Sequence, residues 1–111
     1  MNIKDMQQAA QQASELMKSL SSENRLMILC QLGDGEKSVG QLAAALGLRQ
    51  AAVSQQLALL RKDGLVAPRR EAQTIYYDLS GTAARRVIEL LYEIYCAPAG
   101  QESERLAETV S

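Results

Sequence analysis

The 111-residue chain contains no histidine, no tryptophan and no phenylalanine, and it has two cysteines and two prolines. Each shortage removes a class of function. Without histidine the commonest general base and the commonest metal ligand are missing, and two cysteines cannot furnish a four-thiolate zinc site, so no metal or cofactor is expected. With Tyr76, Tyr77, Tyr92 and Tyr95 as the sole aromatics, a platform for stacking single-stranded bases is disfavoured. Neither a Cys-x-x-Cys pair nor a phosphate-binding glycine loop is present, which counts against a thiol enzyme such as a reductase. No apolar run approaches the roughly 20 residues needed to cross a bilayer. The Gln-rich start Met1-Asn2-Ile3-Lys4-Asp5-Met6-Gln7-Gln8 has no signal-peptide core, so a cytoplasmic protein with no membrane partner is expected.

What is present suffices to fold. The 47% hydrophobic and 23% charged content is that of an ordinary globular protein, and the length suits one domain whose modest core an oligomer interface would help complete. The net charge of −1 conceals a strong asymmetry. Between Arg49 and Arg86 seven basic residues face three acidic ones, a local net of +4, whereas residues 1–48 carry −1 and residues 87–111 carry −4. One basic segment in an acidic chain fits a single surface that meets phosphates, although a solvated surface could show the same fluctuation.

Periodicity places five helices and a hairpin. Met6, Ala10, Ala13, Met17 and Leu20 repeat at three and four residues and predict a first amphipathic helix. Ser21 or Ser22 can cap a second, strongly apolar helix that ends at Gly33-Asp34-Gly35. Ser38-Val39-Gly40-Gln41 has the spacing of a capping box and opens a third helix that stops at Gly47. A fourth runs from about Gln50 to Asp63, with Val53, Leu57 and Leu60 on its buried side. Two strands follow, Leu65-Val66-Ala67 and Thr74 to Leu79, the second turning Ile75, Tyr77 and Leu79 inward. The intervening Arg69-Arg70-Glu71-Ala72-Gln73 lacks the Asn-Gly or Asp-Gly of a tight turn and is expected to form a longer, mobile loop. Ser80 can cap a last helix whose apolar face, Ala84, Val87, Ile88, Leu91, Ile94 and Tyr95, is wider than one contact needs. Such a helix suits packing on a second subunit, with the first helix offering a matching face. Residues 1–97 are expected to form the domain and residues 98–111 an acidic tail.

Two helices joined by the three-residue turn Gly47-Leu48-Arg49 suggest a helix-turn-helix. The outward stripe of its second helix, Ala51, Ser54, Gln55, Ala58 and Lys62, holds no large apolar side chain. Small residues let a helix sit deep in a major groove, Gln50, Ser54 and Gln55 can bond to base edges, and Arg49, Arg61 and Lys62 can reach phosphates. Arg69, Arg70 and Gln73 at the hairpin tip can reach the minor groove or its flanking phosphates. A solvated polar face is the plain alternative for the helix taken alone.

The whole order is that of a winged helix-turn-helix, mainly α with a small β-hairpin and a dimer interface in the first and last helices. Its wording is also familiar. Ser54-Gln55-Gln56-Leu57-Ala58-Leu59-Leu60-Arg61-Lys62-Asp63-Gly64-Leu65-Val66, Ile75-Tyr76-Tyr77-Asp78-Leu79 and the earlier Leu20-Ser21 to Asn24-Arg25-Leu26-Met27-Ile28-Leu29 resemble the ArsR family of bacterial dimeric repressors over roughly residues 10–97. The resemblance implies a homodimer on double-stranded operator DNA. Gln56 stands where many members carry histidine, and Arg49 where a small hydroxyl usually opens the helix. The Cys-x-Cys or Asp and His ligands of metal-sensing members are missing, which disfavours metal sensing.

Cys30 and Cys96 are placed as in the members of that family that respond to hydrogen sulfide, persulfides or oxidants. That likeness implies a dithiol that closes into a disulfide or polysulfide bridge within one subunit and weakens operator binding. The residues themselves leave two further readings open. Free cysteines are commonly small buried hydrophobes with no redox role, and a winged helix that has lost DNA binding can serve as a protein-interaction module.

Overall fold

The computed structural model describes residues 2–96, with side chains through Tyr95. The expected domain boundary at residue 97, the tail 98–111 and the side chain of Cys96 lie outside the described residues. The chain forms α1 (Ile3–Ser19), α2 (Glu23–Gly33), β1 (Lys37–Ser38), α3 (Val39–Leu46), α4 (Gln50–Lys62), β2 (Val66–Glu71), β3 (Thr74–Leu79) and α5 (Thr82–Leu91), the last running into a π-helical turn, Tyr92–Cys96. No described helix is long and apolar enough to cross a membrane.

Local chemistry sets the helix ends. Asn2 Oδ1 accepts the Asp5 N–H at 2.8 Å, so α1 begins three residues before its apolar periodicity does. Ser22 caps α2. Ser38 Oγ accepts the Gln41 N–H at 3.1 Å while Gln41 Oε1 accepts the Ser38 N–H at 2.8 Å, the reciprocal box expected at α3. Gly47 ends α3 with φ +66°, in the left-handed region that glycine enters without a Cβ penalty. Ser80 does not cap α5. Its N–H is held by the Leu65 carbonyl at 2.9 Å, and Gly81 occupies the cap position without a side-chain bond.

The core is one cluster. Ile28, Leu29 and Leu32 of α2, Leu42 of α3, and Val53, Leu57 and Leu60 of α4 are fully buried, and Ala84 and Ile88 of α5 join them with Leu65, Val66 and Leu79. The sheet is antiparallel in the order β1-β3-β2. Its third strand, β1, pairs Lys37 with Tyr77 and Ser38 with Tyr76; two residues are too few to show a period-2 pattern.

Two expectations about the hairpin are corrected. Its ladder continues through Arg69↔Tyr76, Arg70↔Ile75 and Glu71↔Thr74, so the turn is Ala72-Gln73 alone and both arginines belong to β2 instead of a long loop. Ala72 takes the left-handed conformation itself, at φ +55°, in place of a glycine or asparagine. Ile75 keeps the inward parity of Tyr77 and Leu79 but is 40% exposed, because the hairpin tip extends beyond the helices that would cover it.

Helix α1 stands away from this body. Every described residue before Leu16 is exposed, and burial is reached at Ser19 and Leu20. The radius of gyration, 16.2 Å, exceeds the roughly 13 Å of a compact 100-residue chain. Replacing Ser38→Ala removes one side of the capping box, and urea unfolding is expected to show a loss of about 1 kcal/mol.

Candidate nucleic-acid interface

Helix α4 is divided into a buried and an exposed face, with Leu59 as an apolar side chain left exposed. Val53, Leu57 and Leu60 face the core, whereas Arg49, Gln50, Ala51, Ser54, Gln55, Ala58, Arg61 and Lys62 are all exposed. The stripe read from spacing is therefore one continuous surface, with side chains that donate and accept hydrogen bonds in its middle and cations toward both ends. Arg49 occupies the N-cap with no side-chain capping bond, so no side chain caps the first-turn amides at that end of the stripe. The Gln50 amide turns back over the start of α3, with Nε2 3.7 Å from where a Cβ on Gly40 would lie.

Two contacts hold α4 from behind, and sequence reasoning found neither. Ser19 Oγ donates to Asp63 Oδ2 at 2.7 Å, tying the end of α1 to the residue that closes α4. Arg25 Nε donates to Gln56 Oε1 at 3.0 Å, joining α2 to the middle of α4. Gln56, noted above as a departure from the family pattern, thus serves as an acceptor facing α2. Residues 44 and 31 positions apart carry no local signal of such pairing.

The two wing arginines differ in their surroundings. Strand alternation puts Arg69, Glu71 and Tyr76 on one face of the hairpin and Arg70 with Ile75 on the other. Arg69 Nε donates to Glu36 Oε2 at 3.0 Å, its Nη2 bonds Glu36 Oε1 and lies 3.0 Å from Glu71 Oε2, and its guanidinium sits 5.1 Å from the centre of the Tyr76 ring. The hydrogen bond from Arg69 holds the Glu36 carboxyl below its ordinary range, and the bonds from Glu36 and Glu71 push Arg69 up. Arg70 and Gln73 are exposed near the tip. Asp78 meets Arg85 of α5 at 3.6 Å.

Cys30 lies on α2, half-buried against the core cluster. It lines an apolar groove of about 390 Å³ whose walls include Leu26 and Met27 of α2, Leu46 of α3, Leu91 of α5 and Tyr95 of the π-helical turn. Cys96 follows Tyr95 in that turn. Among the described residues no group of three or more Cys, Asp or Glu is arranged to hold a metal ion.

Comparison with known proteins places this arrangement. The family described as bacterial regulatory protein, arsR family, matches residues 22–67, which span α2 to the start of β2. The transcriptional activator HlyU of Vibrio cholerae is 50% identical over 96 residues, covering 86% of this chain and 89% of the relative. The reduced form of that protein superposes with a TM-score of 0.81 at 49% identity, over 85% of this chain and 99% of the other. A biofilm growth-associated repressor of Agrobacterium fabrum is 48% identical over 93 residues, covering 84% of this chain and 80% of its own. A homodimeric winged helix-turn-helix DNA-binding domain from Mycobacterium bovis matches with a TM-score of 0.69 at 31% identity, over 82% and 83% of the two chains.

The Ser19 bond to Asp63 steadies the end of α4. Ser19→Ala is expected to lower the unfolding free energy by about 1 kcal/mol and to speed amide exchange at the last turn of α4, measured by hydrogen–deuterium exchange.

Proposed function

The chain belongs to the ArsR family of bacterial regulatory proteins, and on that premise we propose that it is a homodimeric repressor whose hold on operator DNA is set by the thiol state of Cys30 and Cys96. It is a transcriptional regulator of that family; the dimer, the DNA contacts and the dithiol control are the proposal.

The DNA contacts follow from the divided face of α4. In the major groove Gln50, Ser54 and Gln55 read base edges and Ala51 allows close approach. Arg49, Arg61 and Lys62 take flanking phosphates, and Arg70 and Gln73 extend the contact along the wing. A two-fold dimer presents two such heads ~34–36 Å apart, one DNA turn, to a pseudo-palindromic site. The surface that supports dimerisation is the one left uncovered: Met6 and Met17 on α1, Leu90 on α5, and Tyr92, Ile94 and Tyr95 beyond it are exposed, Tyr95 by 70%. Burying such side chains stabilises by about 1.5–3 kcal/mol each. Leu90→Glu with Ile94→Glu is therefore expected to sediment as a monomer and to lose operator binding, whereas a dimer unchanged in sedimentation would place the interface elsewhere.

The observation that carries the dithiol reading is the groove in which Cys30 on α2 faces the segment leading into Cys96. One thiolate takes the outer sulfur of a persulfide and releases the donor's thiol. The second thiolate then attacks the sulfur bound to the protein and expels hydrosulfide, leaving a disulfide. A peroxide reaches the same bridge by accepting two electrons and the two thiol protons, and a peroxide that takes two electrons and two protons from a persulfide on one cysteine and the thiol of the other leaves a trisulfide. The bridge ties α2, which supports α4 through Arg25 and Gln56, to the dimerisation segment. Because both heads must engage DNA together, a small shift in their spacing costs much affinity.

The test uses an operator selected from random-sequence duplexes, with binding followed by fluorescence anisotropy before and after persulfide or peroxide treatment. Wild-type protein is expected to bind about 10-fold or more weakly once bridged, with the Cys30–Cys96 linkage seen by peptide mapping. Cys30→Ser and Cys96→Ser are each expected to bind as the reduced protein does and to ignore both reagents. Equal binding by bridged and reduced protein, or release that persists without the cysteines, would leave the thiols a structural role.

A further inference from the structure

The wing divides its labour between two adjacent arginines, an inference that rests on the DNA-binding reading above. Arg69 is held by two carboxylates and lies over an aromatic ring, so Glu36, Arg69 and Glu71 together carry a net negative charge. A phosphate approaching Arg69 meets a guanidinium whose charge is already offset by two carboxylates, so the contact yields little. Arg70 sits on the opposite face of the ladder beside exposed Ile75 and has no ion pair among the described residues.

Position gives Arg69 a different task. Glu36 precedes β1 by one residue, and Ser38 of β1 is also the N-cap of α3. The Arg69 bonds to Glu36 therefore fasten the middle of β2 directly to the segment that launches the helix-turn-helix. Across the ladder Tyr76, the partner of both Ser38 and Arg69, fills the space under the guanidinium. We propose that Arg69 is a positioning residue that clamps the wing to the start of α3, and that Arg70 is the wing's phosphate contact. The clamp lowers the cost of ordering the wing on DNA without supplying a phosphate contact, so losing Glu36 weakens binding while Arg70 still neutralises its phosphate.

Counterion release separates the two roles, because the logarithm of affinity falls with the logarithm of salt by about 0.9 for each phosphate neutralised. The full-length protein is titrated onto a labelled mixed-sequence duplex of about 30 base pairs, long enough for two half-sites, across a range of salt concentrations. Arg70→Gln is expected to flatten the slope by about 0.9 per subunit, about 1.8 for the dimer. Glu36→Gln with Arg69→Gln, which leaves the net charge unchanged, is expected to keep the wild-type slope while weakening binding by a common factor at every salt concentration.

A second readout needs no DNA. Hydrogen exchange at the Thr74 and Tyr76 amides, in the ladder beside the tip, is expected to quicken in Arg69→Gln and in Glu36→Gln and to stay at the wild-type rate in Arg70→Gln. A slope for the double variant that flattens as much as that of Arg70→Gln would overturn the division of roles. Exchange rates equal in all three single variants would overturn the clamp. Failure of the wild-type protein to bind any duplex would overturn the DNA-binding reading and the Arg70 assignment with it, while the exchange rates would still decide the clamp.

Discussion

Removal of one face of α4 from water is the constraint on which the other placements in this protein depend. Val53, Leu57 and Leu60 are fully buried with Ile28, Leu29 and Leu32 of α2 and Leu42 of α3. Each such side chain stabilises by about 1.5–3 kcal/mol relative to exposure. A helix anchored along one stripe has its opposite stripe oriented without further cost, which is why Ala51, Ser54, Gln55, Ala58 and Lys62 form one outward surface. The polar ties behind α4, from Ser19 to Asp63 and from Arg25 to Gln56, add direction to an attachment whose strength is hydrophobic. They also connect the reading helix to the elements that carry the uncovered apolar surface and Cys30.

The same core explains what the single chain leaves undone. A domain of this length buries a limited fraction of its apolar surface, and here most of the exposed large apolar side chains lie on α1 and the segment from Leu90 to Tyr95, with Leu59 and Ile75 elsewhere. Exposed apolar surface gathered on neighbouring elements is the mark of an interaction site, and the similar domain from Mycobacterium bovis is a homodimer. On the proposed reading, dimerisation and DNA contact share elements: α1 offers apolar side chains outward and holds Asp63 through Ser19 at its end. In such a dimer, a change in how the subunits meet has a short physical route to α4.

Electrostatics shape the molecule on a finer scale than net charge. The basic segment from Arg49 to Arg86 contains cations of different standing. Those of α4 sit exposed around a polar stripe, Arg69 is engaged by Glu36 and Glu71, and Arg85 lies near Asp78. A count of charges treats these as equal, whereas the charge of Arg69 is offset where it stands by Glu36 and Glu71.

Much of the fold was legible because its signals are local. Helix periodicity, the Ser38 capping box, the Gly47 stop and the stripe of α4 each follow from residues within one or two turns of one another. The hairpin was legible in kind but not in extent. Its tight turn at Ala72 breaks the residue preference for positive φ, and strand pairing beyond the core brought Arg69, Arg70 and Glu71 into the ladder. Of the candidate site, the outward face of α4 and the placement of Cys30 on α2 were readable from spacing and resemblance. The fate of Arg69, the partner of Gln56 and the anchoring of Asp63 were not. The sequence by itself determined which residues make helices, which face of α4 is apolar and where positive charge concentrates, since these are properties of neighbours along the chain. Tertiary structure alone decided which cations stay available and which polar groups brace the reading helix, because those pairs join residues 31 to 44 positions apart that share only the space into which the core folds them.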